Sequence, residues 1–275
     1  MTSPTRQDLM RLLRRSGFEV KSLALGTGSN AKGGPRLVVD RGSYPGVEAH
    51  LCTIADGALW RSELDAEHDV VIHSAGSEEG RSLRPSVPVE AGSSWNRLMA
   101  SIENLCPHLE PYRVGVRRGI FSTVMWAHHD EEWFRLNREA PLHTIRPPDE
   151  YIEHVDVTIR PHIRELNRLG FATLECCSSL PQDHPDRDPW YPYIMFDERI
   201  YPRATPHLFT LADMAGWIPS YARYNFDVAM RVPKGEPVEA AWDRLVSKAR
   251  VLEAVIREYR GRVGFHVTPS GKSQS

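Results

Sequence analysis

Between Val238 and Tyr259 the apolar positions Val238, Trp242, Leu245, Ala249, Leu252, Ile256 and Tyr259 step by three and four. The spacing predicts one long helix with a continuous apolar stripe, and such a stripe needs a sheet to cover. A second helical period runs through Ile152, Val155, Ile159, Ile163 and Leu166, and Gly170 ends it. Pro161 interrupts this stretch, and two forms fit. Either a long helix from about Asp149 is kinked at the proline, or a short helix over Pro161–Leu169 follows an extended HVDVTI. Toward the N-terminus, Leu9, Met10, Leu12 and Leu13 predict a helix over Gln7–Arg15 closed by Ser16-Gly17. Leu98, Ile102 and Leu105 predict another over Trp95–Leu105, capped by Ser94 and stopped by Pro107.

Short β-like runs predict strands at Phe18–Leu25, Leu37–Val39, Ala49–Ala55 and Asp69–Ala75, and further along at Phe171–Cys177, Tyr191–Asp197, Asn225–Val232 and Arg262–Val267. The C-terminal half then reads α-β-β-β-α-β, a mainly antiparallel sheet with helices on one face. The fold class is α+β, with a mixed α/β N-terminal half. The polar, glycine- and proline-bearing stretch from Ser74 to Ser94 marks a linker. The expected divisions are a mixed α/β region over 1–90, a helical connecting region over 91–148, an α+β sandwich over 149–269 and a loose tail over 270–275.

At 275 residues and 41% hydrophobic, the chain is long enough to bury a full core. Its formal charge of −2 gives no broad attraction to nucleic acid or to an anionic membrane. The opening MTSPTRQDLMRLLRRSGF holds no uninterrupted apolar stretch, so neither a secretory signal nor a spanning segment is expected, and the expected location is the cytoplasm. Four cysteines in this length make no disulfide framework, and Cys52 and Cys106 read as core thiols. The loop GTGSNAKGGPR lacks the G-x-x-x-x-G-K-[ST] order that wraps a phosphate and reads as a surface turn.

Candidate chemistry gathers where the Phe171–Cys177 strand ends. Strict alternation in FATLECC sends Ala172, Leu174 and Cys176 to the core face and Thr173, Glu175 and Cys177 to the other. The same alternation places Asp227, Arg231 and His266 beside that second set, on a face that is either a solvated exterior or the floor of a cleft. The loop from Ser178 to Pro192 adds Asp183, His184, Asp186 and Asp188. Proline and aspartate suit a surface turn for conformational reasons alone. A thiolate, an imidazole and carboxylates within a short reach also make a ligand set that zinc or iron accepts, with a position left for water, although no zinc-ribbon or finger spacing is present.

A second constellation is WAHHDEEW, where a helix would bring His128 four residues before Glu132 and His129 three before it. That pairing serves a metal or an acid–base couple, and equally a plain helix surface. In the catalytic assignment Cys177 is nucleophile or ligand, His184 pairs with Asp183, and Glu175 lies alongside. Arg231 or a protonated histidine nearby favours the thiolate, while His128, His129 and Glu132 supply a further set of metal ligands.

The segment DVTIRPHIRELNRLGFATLECCSSLPQDHPDRDPWYPYIMFDE carries L-N-x-x-G-F, then T-x-x-x-C, a polar loop with histidine, and Y-I-x-F. It is similar to the T-x-S-S-C-S-G strand and loop of the third family of wybutosine-synthesising tRNA methyltransferases. The resemblance implies an enzyme using S-adenosylmethionine on a modified guanosine in tRNA, with Thr173, Cys177 and Ser178 at the site. Ser179 stands where that family has glycine, and no basic stretch for tRNA accompanies the match.

Three classes follow. The first is a cytoplasmic enzyme with a Cys/His/carboxylate pocket, using a divalent transition metal (zinc or iron) on a small-molecule or nucleotide-like substrate. The second is the S-adenosylmethionine-dependent enzyme that the resemblance implies. The third is a non-catalytic binding protein, for which seven tryptophans and nine tyrosines supply aromatic surface.

Overall fold

A computed structural model describes residues 5–24, 35–74, 91–117, 149–186, 191–222 and 227–265. The chain divides into two compact units, residues 1–134 with 255–263, and residues 135–254 with 264–275. The fold is α+β, built on two four-stranded antiparallel sheets.

In the first unit, α1 (Arg6–Arg15) leads into β1 (Val20–Ala24) and β2 (Arg36–Val39). Then come α2 (Val47–Gly57), β3 (Trp60–Leu64), β4 (Val70–Ser74) and α3 (Ala91–Arg117). The strand order is β1-β2-β4-β3. The second unit opens with α4 (Asp149–His154) and α5 (Arg160–Arg168), followed by β5 (Thr173–Cys177) and β6 (Tyr193–Asp197). Next are α6 (Ala204–Ala215), β7 (Ile218–Ala222), β8 (Asp227–Arg231) and α7 (Val238–Arg262), the last residues of which count with the first unit, and the strand order is β5-β6-β8-β7. From α1 and α5 onward, the two series are the same.

That identity of topology is written into the sequence as an internal repeat. The pattern D-x-x-x-Y-P-x-x-x-x-H-L-x-T-x-A-D-x-A-x-W begins at Asp40 and again at Asp197. L-x-R-x-G-F precedes each copy at Leu13 and Leu166, and W-x-R-L follows at Trp95 and Trp242. Each repeated residue does the same physical work twice. Gly17 and Gly170 both take φ of 80°, and the next amide reaches back to Leu13 or Leu166, which closes the first helix. Asp40 and Asp197 each accept an amide two residues on, from Gly42 and Arg199, and so start a 3-10 turn. The Tyr44 hydroxyl lies 3.1 Å from His50 Nδ1 and that of Tyr201 lies 3.2 Å from His207 Nδ1, and both histidines are fully buried. Thr53 and Thr210 bond the carbonyl four residues back. Trp60 and Trp217 donate to the carbonyls of Ser94 and Ala241 in the helix that covers each sheet.

The repeat also explains two unusual backbones. Leu59 and Arg203 adopt φ of 62° and 67°, values rare for residues with a Cβ. Their counterparts in the other copy are Gly216 at 71° and Gly46 at 83°. The turn geometry belongs to the shared fold, and each copy has kept glycine at only one of the two places.

Several expectations are corrected. Ala49–Ala55 is helical, not a strand. Nearly all of α2 is buried, so it shows no amphipathic period, and a short apolar run leaves helix and strand indistinguishable. For the same reason α6, buried at every position, gave no signal, and β3 and β7 went unread with it. The order α-β-β-β-α-β therefore becomes α-β-β-α-β-β-α. No strand follows the last helix within 262–265, because α7 continues to Arg262, and His266 lies outside the described residues. Pro107 does not stop α3, which runs through it and Pro111. Burial of Leu109 and Tyr112 beyond the proline keeps this face apolar, which offsets the lost backbone bond. Ser94 is inside α3 rather than capping it, with its hydroxyl bonded to Ser74. HVDVTI is not extended, since α4 ends at His154 and a turn leads to α5, where Pro161 occupies the first helical turn. Cys52 and Cys106 are buried.

Inside the second unit, Glu165 of α5 accepts from Arg168 and from Arg250 of α7. The Arg168 bond leads in holding its carboxyl down to about 2, against a burial that pushes the other way, and Arg250 adds to it. A depressed carboxyl stabilises the fold above its unfolded pKa and loses that contribution as pH falls through the folded one. Glu165→Gln is expected to cost about 1 kcal/mol at pH 7, allowing for solvent screening. In urea melts the difference from the native chain should shrink between about pH 4.5 and about pH 2. A Cβ at Gly216 would meet only Arg244 atoms, 3.8 Å away, so Gly216→Ala should cost the backbone term alone, about 1 kcal/mol by the same melts.

Candidate metal centre

The cysteine strand does not alternate strictly. A β-bulge lies between Thr173 and Glu175, so Thr173 opposes Phe196 while Glu175 opposes Met195, Cys176 opposes Ile194 and Cys177 opposes Tyr193. Phe196 and Ile194 are fully buried, which puts Thr173 and Cys176 on the core face. Thr173, expected beside Cys177, is therefore turned inward at 4% exposure, with its amide and hydroxyl bonded to Asn167. One inserted residue shifts everything upstream of it to the opposite face. Glu175 and Cys177 do share the outer face, where Glu175 accepts from the Tyr193 hydroxyl.

Beyond Cys177 the chain turns back over its own strand. Ser179 takes φ of 53°, a left-handed backbone that glycine adopts more readily. Leu180 is buried and anchors the turn, its amide donating to Ser178 Oγ and its carbonyl accepting from Asp183 and His184. The return sets His184 Nε2 3.3 Å from Cys177 Sγ. A carboxylate from the turn between α4 and α5 completes the group: Asp156 Oδ2 lies 3.0 Å from His184 Nε2 and accepts the Ser178 amide at 2.7 Å. Buried Val155 and Ile159 hold that turn on either side of Asp156. The atoms Sγ, Nε2 and Oδ2 all lie within 4.8 Å of one another, and these three residues could hold a metal ion.

Asp183 stands beside this set but faces another way, accepting from Ser178 Oγ at 2.6 Å and from the Thr158 hydroxyl. Burial pushes its carboxyl up, but the bonds from Ser178 and Thr158 and the nearby His184 together outweigh it and hold it below its ordinary value. Asp183 thus stays ionised and fixes Ser178, whose amide in turn positions Asp156. Desolvation, then the Glu175 bond, pushes the Tyr193 phenol up, so it remains a donor.

Geometry separates two chemistries here. In a thiol relay the carboxylate binds the far nitrogen of the imidazole and the sulfur the near one. Here both Cys177 and Asp156 address Nε2, so a single N–H would have to be shared between them. Sulfur, nitrogen and oxygen within 4.8 Å of one another could hold a cation. Tetrahedral zinc with sulfur, nitrogen and oxygen ligands holds its donors about 3.4 to 3.6 Å apart. The observed 3.3 and 3.0 Å therefore need to open by only a few tenths of an ångström. Side-chain exposures of 26% for His184 and 15% for Asp156 leave the centre within reach of solvent.

Of the residues singled out from the sequence, Cys177, Ser178, Asp183 and His184 are brought together. Glu175 is on the adjoining outer face, and Arg231 is two strands away in the same row. Asp186 is exposed, and His128, His129, Glu132 and Asp188 lie outside the described residues. Asp156, Thr158 and Tyr193 were not singled out. The available signal was an aspartate and a threonine ahead of a proline-initiated helix, a turn pattern that brings short polar side chains to a helix start.

No helix among the described residues is long and apolar enough to cross a membrane. No family model, curated protein or solved structure matches the chain.

Proposed function

We propose that the chain is a metal-dependent enzyme of the cytoplasm, with Cys177, His184 and Asp156 holding one divalent transition ion, zinc or ferrous iron. The observation that carries this reading is the convergence of sulfur and carboxylate on the same imidazole nitrogen. The internal repeat supports it, because the position matching Cys177 in the first copy is Ala24, so the shared fold does not itself require a thiol there. Three protein ligands leave a coordination position for water or substrate, and the ion would supply Lewis-acid activation at that position. Asp183 acts indirectly, fixing the Ser178 turn on which Asp156 rests.

The second reading is S-adenosylmethionine-dependent tRNA modification, favoured by the left-handed backbone at Ser179 and opposed by the inward turn of Thr173. Calorimetry with S-adenosylmethionine separates the two.

Elemental analysis of the full chain purified without chelator should find a divalent transition metal, and after chelator treatment cobalt titration should show one equivalent bound with a thiolate-to-metal absorbance. Cys177→Ser should abolish that band, and His184→Ala or Asp156→Ala should weaken binding by at least about tenfold, with Asp183→Asn weakening it about tenfold. Affinity should fall as pH is lowered, since thiol and imidazole must release protons to bind. Absence of both metal uptake and the cobalt band would overturn the reading.

A further inference from the structure

The outer face of the second sheet carries a row that runs away from the metal centre. Cys177 opposes Tyr193, and Tyr193 opposes Arg231, all in one register and on one face. Neighbouring strands lie about 4.8 Å apart, so Arg231 starts about 10 Å from the cysteine backbone, across a single tyrosine. Arg231 is exposed, and among the described residues no carboxylate lies within ion-pair distance of it. Its guanidinium instead rests on the Tyr191 ring, 5.8 Å from the centroid. A guanidinium that rests near an aromatic ring without a carboxylate partner keeps N–H donors for a ligand, and carboxylate or phosphate oxygens fit them two at a time.

Two large apolar side chains are exposed among the described residues. Tyr191 is 52% exposed at the entry to β6, and Val157, 69% exposed, follows Asp156 directly in the chain. One accompanies the cation and the other accompanies a proposed ligand. The open Tyr191 ring beside the guanidinium offers an apolar surface to the body of a ligand.

We infer that Arg231 is the anion-binding residue of this centre and that its substrate is an organic anion, a carboxylate or phosphate joined to an apolar or aromatic body. The charged group sits on Arg231, the body lies along Tyr193 and Tyr191, and the reactive end reaches Cys177, His184 and Asp156. The inference rests on the metal-centre reading for its catalytic meaning, but the binding itself does not need the metal.

Phenyl phosphate is the probe, titrated calorimetrically into the full chain. Arg231→Ala should weaken its binding about tenfold to a hundredfold, Arg231→Lys should recover part of the loss, and neutral benzyl alcohol should not bind comparably. Tyr191→Ala should weaken phenyl phosphate more than inorganic phosphate. Cys177→Ser should lose the cobalt band while keeping the Arg231-dependent calorimetric signal, so a failed metal reading and a failed anion site give different results. Both arginine variants change an exposed side chain, and circular dichroism verifies that they are folded. The inference is overturned if Arg231→Ala binds phenyl phosphate as well as the native chain does, or if the native chain shows no binding at millimolar probe.

Discussion

Each half of this protein is organised around a helix that has no exposed face. Such a helix must satisfy internally every polar group it carries, because a buried donor or acceptor without a partner costs as much as several good contacts return. In α2 and α6 the histidine is met by a tyrosine hydroxyl and the threonine by a carbonyl one turn back. The tyrosine is in place because the aspartate-started 3-10 turn and the left-handed residue at the helix start bend the chain to put it there. For the histidine and the threonine the constraint is met the same way twice, and the repeated pattern is its record.

Burial also fixes the chemistry of those groups. Desolvation holds His50 down at about 3, with Arg113 adding to the effect, so it is a neutral structural imidazole at ordinary pH. Asp213 is pushed well up by burial. Desolvation governs these two core groups, while the Cys177, His184 and Asp156 group lies at the edge of the second sheet within reach of solvent. There the bulge in β5 and the turn after Cys177 bring thiol, imidazole and carboxylate into a half-exposed group.

What distinguishes the second copy is local. Its first hairpin connection carries the buried anchor Leu180 and the pinned Ser178, and these turn a loop rich in proline and aspartate back across its own strand. The first copy has alanine where the second has Cys177. A shared scaffold thus carries the Cys177, His184 and Asp156 group in its second copy, and the row from Cys177 to Arg231 lies on the outer face of β5, β6 and β8.

The sequence by itself determined those parts whose stabilisation is local and one-sided. The stripe from Val238 to Tyr259, the caps at Gly17 and Gly170, and the β-rich runs around Leu37, Val70 and Ile194 follow from period and turn chemistry, and the α+β class follows from them. The pairing of Cys177 with His184 was legible too, since the two are seven residues apart around a turn. Tertiary structure alone decided the rest. The helical state of Val47–Gly57 and Ala204–Ala215 came from burial on all sides, which erases the period that a sequence pattern needs. Continuation of α3 past Pro107 depended on the neighbours waiting for Leu109 and Tyr112. The inward turn of Thr173 hung on one bulge, and the arrival of Asp156 at the centre hung on how two short helices meet, a long-range contact that no spacing along the chain encodes.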